Sequence, residues 1–302
     1  MMKQDDDLEH YDPEAYGYAT ENPYVIDPDL LEEMHRLDLQ GRLFTRAMGG
    51  LLAERPDFSG IHRVLDLGCG PGEWALEVAR EHPDLEVVGV DKAPRMIEFA
   101  TVRALADRLP NTAFQVADVT APLPFADQSF DLINARFLQG LMRPQEWPRL
   151  VKECWRLLRP GGLLRLTEAE PWLTNSAAWE QWTRTLMRAL LLDGRTFSPD
   201  EAHWGVVFML RRLLAEGGFQ QVQERAYAIN FSFGTPAHEG ICQDLLISVR
   251  LVQPFVTQHL SEWTKEAVEE VRERMEQEAR APGFCGLWFF LSASGERPQQ
   301  GA

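Results

Sequence analysis

The apolar positions along this chain switch between two periods. Short apolar and β-branched runs at Val64–Leu67, Glu86–Asp91, Phe114–Asp118, Phe130–Asn134 and Leu163–Thr167 predict buried strands. Between them the spacing turns helical. Trp74, Ala75, Val78 and Ala79 share one face, a further helix begins near Pro94, and Pro144 to Leu158 turns Trp147, Leu150, Val151, Cys154 and Leu157 inward. Arg159-Pro160-Gly161-Gly162 then reads as a stop. Strand and helix in alternation predict a parallel sheet with helices on both faces. Upstream, Asp27-Pro28 opens an amphipathic helix through Leu30, Met34, Leu37, Phe44, Met48 and Leu51, with a break near Gly41.

Downstream of Thr167 the alternation stops. One helix carries Trp179, Trp182, Leu186 and Ala189. Ser198-Pro199-Asp200-Glu201 is a capping box that predicts a second helix holding His203, Trp204, Val207, Phe208 and Leu210. Gln221–Phe231 and Leu287–Leu291 read as the last two strands. Between them lie two helical stripes: Ile241, Leu245, Val249 and Val252, kinked or ended at Pro254, then Trp263, Ala267, Val271 and Met275. The implied organisation is an acidic N-terminus over 1–22, a helical segment over 23–60 and a core over 61–170. A first insertion follows over 171–205, the rest of the sheet over 206–234 and 283–294, a second insertion over 235–282, and a tail over 295–302.

The chemistry concentrates where the first strand breaks into Gly68-Cys69-Gly70-Pro71-Gly72. Glycines let a backbone approach a ligand where a Cβ would clash, and the following helix offers unpaired N–H groups. A dinucleotide fingerprint would place glycine where Glu73 stands. Asp66, just before the loop, would repel a pyrophosphate and attract an ammonium and a sulfonium. That charge pattern favours S-adenosylmethionine over NAD. Asp91 lies about twenty residues on, where an acid meets ribose hydroxyls. Met96 is placed to pack on the adenine, and Asn134, Ala135 and Arg136 lie at the carboxyl edge beside the methionine end.

Composition narrows the partners. The 302 residues carry a formal net charge of −16, a poor match to a nucleic-acid backbone. No apolar run is long enough to span a bilayer. The start MMKQDDDLEH has no apolar core of a signal peptide. Cys69, Cys154, Cys242 and Cys285 are scattered without a CxxC pair, which predicts reduced thiols, a cytoplasmic location and no bound metal.

The stretch VLDLGCGPG at Val64–Gly72 closely resembles the first motif of class I S-adenosylmethionine-dependent methyltransferases, and LRPGGLLRL at Leu158–Leu166 resembles their post-core motif. The resemblance implies a Rossmann-like seven-stranded sheet with helices on both faces, carrying here an N-terminal helix and a helical lid. It implies that Asp118 bonds the adenine amino group and that the N–H of Val119 meets the ring. Cys69 and Lys92, beside Gly68, Gly70 and Asp91, complete the cofactor set. The pattern Glu33-x-x-Arg36-Leu37-Asp38-x-Gln40, with ARFLQG at Ala135–Gly140 and the bulky lid, resembles the LaeA-like methyltransferases. On the residues alone the former is a solvated helix face. The resemblance implies that Arg36 reaches the cofactor carboxylate.

The two insertions carry more apolar surface than exposed loops should. They are predicted to roof an acceptor pocket with Trp172 and Trp204 in its wall, or to seat a second copy of the chain in a homodimer. The expected activity is O-, N- or C-methylation of a small or medium organic molecule. Glu168, Glu170 and His203 are the candidate bases for a hydroxyl acceptor. Two other readings stand beside it: a regulatory protein that binds the cofactor and acts through a partner, and an enzyme of another reaction type on the same fold.

Overall fold

The computed structural model describes residues 25–54 and 58–299. Five parallel strands form its centre: β1 (Arg63–Leu67), β2 (Glu86–Asp91), β3 (Thr112–Val116), β4 (Phe130–Arg136) and β5 (Leu158–Ala169). A two-residue strand, β6 (Leu173–Thr174), continues the line of β5. The antiparallel β8 (Gly286–Glu296) pairs with both, and β7 (Gln220–Asn230) pairs with its other edge. The order is β3-β2-β1-β4-β5-β8-β7, a Rossmann-like α/β sheet. After β3 the chain crosses back past β1 to lay down β4. That reversal opens a crevice at the carboxyl ends of β1 and β4.

Period-two alternation sorts the central strands into two faces. Leu65, Leu67, Ile133, Leu164 and Leu166 pack under α4 (Trp147–Leu157) and α6 (Leu210–Glu216). Val64, Val87, Leu132 and Leu163 pack under α2 (Glu73–Glu81) and the turn after α1 (Leu31–Met48). Helix α3 (Pro94–Ala106) lies against β2 and β3.

The inserted helices α5 (Ala177–Leu192), α7 (His238–His259) and α8 (Lys265–Ala279) form a second apolar cluster. It joins Phe44 and Met48 of α1 to Trp172, Trp179, Trp182, Trp288 and Phe290. Helix α8 starts at Thr264, whose side chain accepts from the N–H of Ala267. Among the described residues no helix is long and apolar enough to cross a membrane.

Five sequence expectations change. Helix α1 begins at Leu31 rather than at Asp27-Pro28, and Asp27 instead accepts from the Asp29 N–H in a local turn. Helix α1 runs unbroken through Gly41, which is there for close packing: a Cβ at this position would overlap the Glu73 carboxylate. Helix α7 runs through Pro254, because Val249, Val252, Phe255 and Val256 bury the turns on either side of the missing N–H. The capping box at Ser198 starts no helix. Asp200 accepts from the Ser198 hydroxyl and the Ala202 N–H, closing a local turn instead. The segment expected as a loose tail from 295 is drawn into β8 through Glu296, and the guanidinium of Arg297 donates to Trp155 O and Leu158 O at 2.7 Å.

Replacing Gly41 with Ala tests the α1–α2 contact. Intrinsic helix propensity alone would stabilise by about 1 kcal/mol. Overlap with a buried carboxylate opposes that by about 1–3 kcal/mol. The expected result in thermal unfolding is a lower Tm for Gly41→Ala; a higher Tm would show that α1 has room to move.

Candidate functional site

The crevice opens into a cavity of about 280 Å³. One side is built by the glycine loop. Gly68, Gly70 and Gly72 all hold positive φ, at 63°, 51° and 81°, which other residues rarely adopt. A Cβ at Gly70 would meet only Leu37, at 3.7 Å, so it would occupy the cavity itself. Asp91, at the end of β2, steadies the loop: its carboxylate accepts from the N–H of Gly70 and of Ala93, each at 2.9 Å. The buried Cys69 thiol is pushed well above its ordinary pKa by desolvation and by Asp91 and Asp66, so it stays neutral.

Four acids, Glu33, Asp66, Glu73 and Asp91, line this side, against the two cations Arg36 and Arg136. Asp66 is only 4% exposed. Desolvation pushes its carboxyl up to about 7, although Arg136 and the Asn134 amide, 2.8 Å away, pull it down. Glu73 is likewise raised by burial, and Arg136, 3.0 Å away, counters this. A wall with surplus buried carboxylate and an open glycine turn fits a ligand that carries an ammonium and a sulfonium.

The other side is apolar. Phe44 of α1, Phe137 after β4, Leu186 and Leu190 of α5, Leu245 and Val252 of α7, and the rings of Trp172, Trp204 and Trp288 line it. Phe137 takes the left-handed conformation, φ 58°, uncommon for a bulky residue. Glu168 explains how it is held. Its carboxylate accepts from the N–H of Leu138 at 2.9 Å and of Gln139 at 3.2 Å, pinning the ARFLQG turn.

The structure gathers Arg36, Asp66, Gly68, Cys69, Gly70, Asp91, Met96, Arg136, Trp172 and Trp204 around this cavity. It places the three candidate bases elsewhere. Glu168 is fully buried beneath the ARFLQG turn, and desolvation raises its pKa well above the ordinary range. Glu170 accepts from the N–H groups of Trp204, Gly205 and Val207, so it organises the loop that carries Trp204. His203 is exposed on that loop, which is not helical. None of the three is among the lining residues.

Five further positions stand outside the wall. Lys92 pairs with Asp118 at 2.7 Å, and Asp118 also accepts from the Thr120 N–H and hydroxyl. Despite partial burial, those bonds hold Asp118 below the usual carboxylate range. Val119 is buried against the β1–β2 side of the core, and Ala135 is buried within β4. Asn134 stands behind Asp66.

Arg36 is the centre of a buried clamp. Its Nε and one Nη donate to Glu33 at 2.6 and 2.7 Å, and the other Nη donates to Asp244 of α7 at 2.9 Å. Gln40 donates to the second oxygen of Asp244 at 2.9 Å. Burial alone would lower the Arg36 pKa, and the two carboxylates reverse that, so it stays charged. The clamp uses three of its five N–H groups. Sequence reading missed Asp244 and Glu73. Asp244 carried no signal, since its partner lies 208 residues away. Glu73 was legible only as an acid in the first turn of a helix.

Burial of Asp66 has a stability consequence. The fold keeps its proton at pH values where the unfolded chain, near 3.8, has lost it. Its contribution is therefore full at low pH and is lost as pH rises through about 7. The apo protein should lose Tm from about pH 4 to about pH 7, and Asp66→Asn should show a shallower decline over the same range. Parallel curves for the two proteins would contradict this.

Residues 64–162 match a family model described as a methyltransferase domain. Over 299 residues the chain is 26% identical to the methyltransferase pytC of Aspergillus terreus, covering 94% of this chain and 86% of that protein. It is 33% identical over 222 residues to the secondary metabolism regulator laeA of Aspergillus fumigatus, covering 69% of this chain and 52% of that one, so it spans about half the length of that relative. Among solved structures, phosphoethanolamine N-methyltransferase 2 of Haemonchus contortus, in complex with S-adenosyl-L-methionine, superposes with a TM-score of 0.51. Its identity is 20%, over 85% of this chain and 53% of that one, a likeness of fold. The chain is a class I S-adenosylmethionine-dependent methyltransferase that resembles the LaeA-like methyltransferases.

Proposed function

We propose that this enzyme methylates a small or medium organic molecule with an apolar body, on oxygen, nitrogen or carbon, in secondary metabolism. One observation carries the reading: a single cavity at the strand ends joins a carboxylate-and-glycine wall to an aromatic and aliphatic wall. The first side suits the cofactor and the second suits an apolar acceptor. Bound there, S-adenosylmethionine supplies a methyl group made electrophilic by the sulfonium.

The chain's own residues do the rest. Asp66 and Glu73 oppose the positive end of the cofactor, and Asp91 stands at the end of β2 to meet the ribose hydroxyls. The Arg36 clamp ties α1 to α7, so both sides of the cavity keep their spacing. Phe44, Phe137, Trp172, Trp204 and Trp288 exclude water and hold the acceptor in line, which is where much of the rate gain in such a displacement arises. Gln139, Trp172 and Trp204 each carry a buried polar atom with no hydrogen-bond partner among the described residues, which supports an acceptor bearing an oxygen or nitrogen. Glu168 and Glu170 act on backbone N–H groups, so this reading gives them structural work. It also includes a cytoplasmic location, supported by four free cysteines. The apolar faces of α5 and α7 are spent on the cavity and on each other, which favours a roof over a homodimer seat.

Incubation with methyl-labelled cofactor and a metabolite extract, read by mass spectrometry, should place label in a low-molecular-weight apolar product. Label found only on protein or nucleic acid would refute the acceptor class. Trp204→Ala should lower turnover of that acceptor by at least tenfold and leave the Kd for S-adenosylhomocysteine within about twofold. Equal damage to both would assign Trp204 to the fold instead.

A further inference from the structure

The parallel registers set three polar residues side by side: Asp66 on β1 faces Asn134 on β4, and Asn134 faces Arg165 on β5. They form a continuous chain of bonds. Asn134 Nδ2 donates to Asp66 Oδ1 at 2.8 Å, and Arg165 Nη1 donates to Asn134 Oδ1 at 3.0 Å. Behind them Arg165 pairs with Glu54 at 3.1 Å and donates to Leu51 O at 3.2 Å. Tyr227 of β7 donates to Glu54 at 2.9 Å. Arg165 is 1% exposed and Asn134 0%, so no solvent is available to replace these bonds. Arg165 does not line the cavity.

We propose that Arg165 is a positioning residue for the cofactor: it turns the Asn134 amide so that its NH₂ donates to the Asp66 carboxylate and favours the ionised acceptor at the cavity wall. The role rests on the reading of this cavity as the S-adenosylmethionine site. The argument is one of donor direction. A guanidinium has donors and no acceptor, so the Asn134 oxygen must face Arg165. The Asn134 NH₂ must then face Asp66. An NH₂ donor requires a lone pair on Asp66 Oδ1 and rewards the charged form. If the amide turned over, its oxygen would face Asp66 and reward a protonated acid instead. Asp66 also faces Arg136 from β4, Glu73 from α2 and the Cys69 thiol of the glycine loop. Among these Arg136 favours the charge and Glu73 opposes it, so the amide direction can decide the outcome.

The test is isothermal titration with S-adenosylhomocysteine from about pH 6 to about pH 8.5. Arg165→Gln lets the Asn134 amide turn over, because glutamine can accept as well as donate. Its affinity should fall about tenfold at pH 6 and about fivefold at pH 7 and recover toward wild type at the alkaline end, because the Asp66 carboxyl then holds its proton to higher pH. Arg165→Lys, still a donor without an acceptor, should keep the wild-type pH profile. Asn134→Ser removes the amide and should shift the profile as Arg165→Gln does, which covers the case where Arg165→Gln does not fold. An affinity loss in Arg165→Gln and Asn134→Ser that is equal at every pH, or no loss at all, would overturn the relay and leave the cofactor site standing. No binding by the wild-type protein at any pH would overturn the cofactor reading, and the relay with it.

Discussion

Burying a carboxylate at the carboxyl end of β1 is the constraint from which the site follows. Asp66 leaves water with no cation bonded directly to it among the described residues, and burial drives its pKa to about 7. The neighbours answer this in layers. Asn134 donates to it, Arg165 orients Asn134, and Glu54 balances Arg165. Arg136 helps from the adjoining strand while shared with Glu73. An unpaired buried charge is costly, so every member of the row depends on the next. The remaining imbalance of negative charge is on the cavity side, where a cationic ligand restores it.

A second buried ionic group does different work. The Arg36 clamp joins α1 to α7, elements far apart in sequence, by bonds that need all of Glu33, Gln40 and Asp244. Such groups add little net stability over apolar packing but fix which surfaces meet. Here they fix the roof. The apolar cluster of α5, α7 and α8 supplies adhesion, and the clamp supplies register. Glu168 plays the same part for the ARFLQG turn. It trades a charge that solvent would have favoured for two backbone N–H bonds that hold Phe137 in an uncommon conformation.

The sheet, the glycine turn and the cofactor side of the cavity were legible along the chain because each rests on local rules. Alternation in β1 separates Leu65 and Leu67 from Val64 and Asp66, and positive φ at Gly68, Gly70 and Gly72 demands glycine. Trp172 and Trp204 were reachable because their segment leaves the carboxyl edge of β5. The bases were misplaced for an equally physical reason. A glutamate beside a strand end can point to either face or bond the backbone, and its sequence neighbours do not decide which. Glu168 and Glu170 found unpaired N–H groups, which outcompeted the cavity.

By itself, then, the sequence determined the strand–turn–helix core, its charge and the ligand type that suits it, since these depend on contacts within a few residues. Tertiary structure alone decided what sits behind and above that core. Pro254 stays within α7 because Val249, Val252, Phe255 and Val256 on either side of it are buried against distant elements, and the Ser198 capping signal yields to an Asp200 turn in the Trp204 loop. Arg36 meets Asp244, and Arg165 meets Asn134, only once β1, β4, β5, α1 and α7 are in register. Those pairings carry no local signature, because either partner could have satisfied its bonds in water until the fold removed the water.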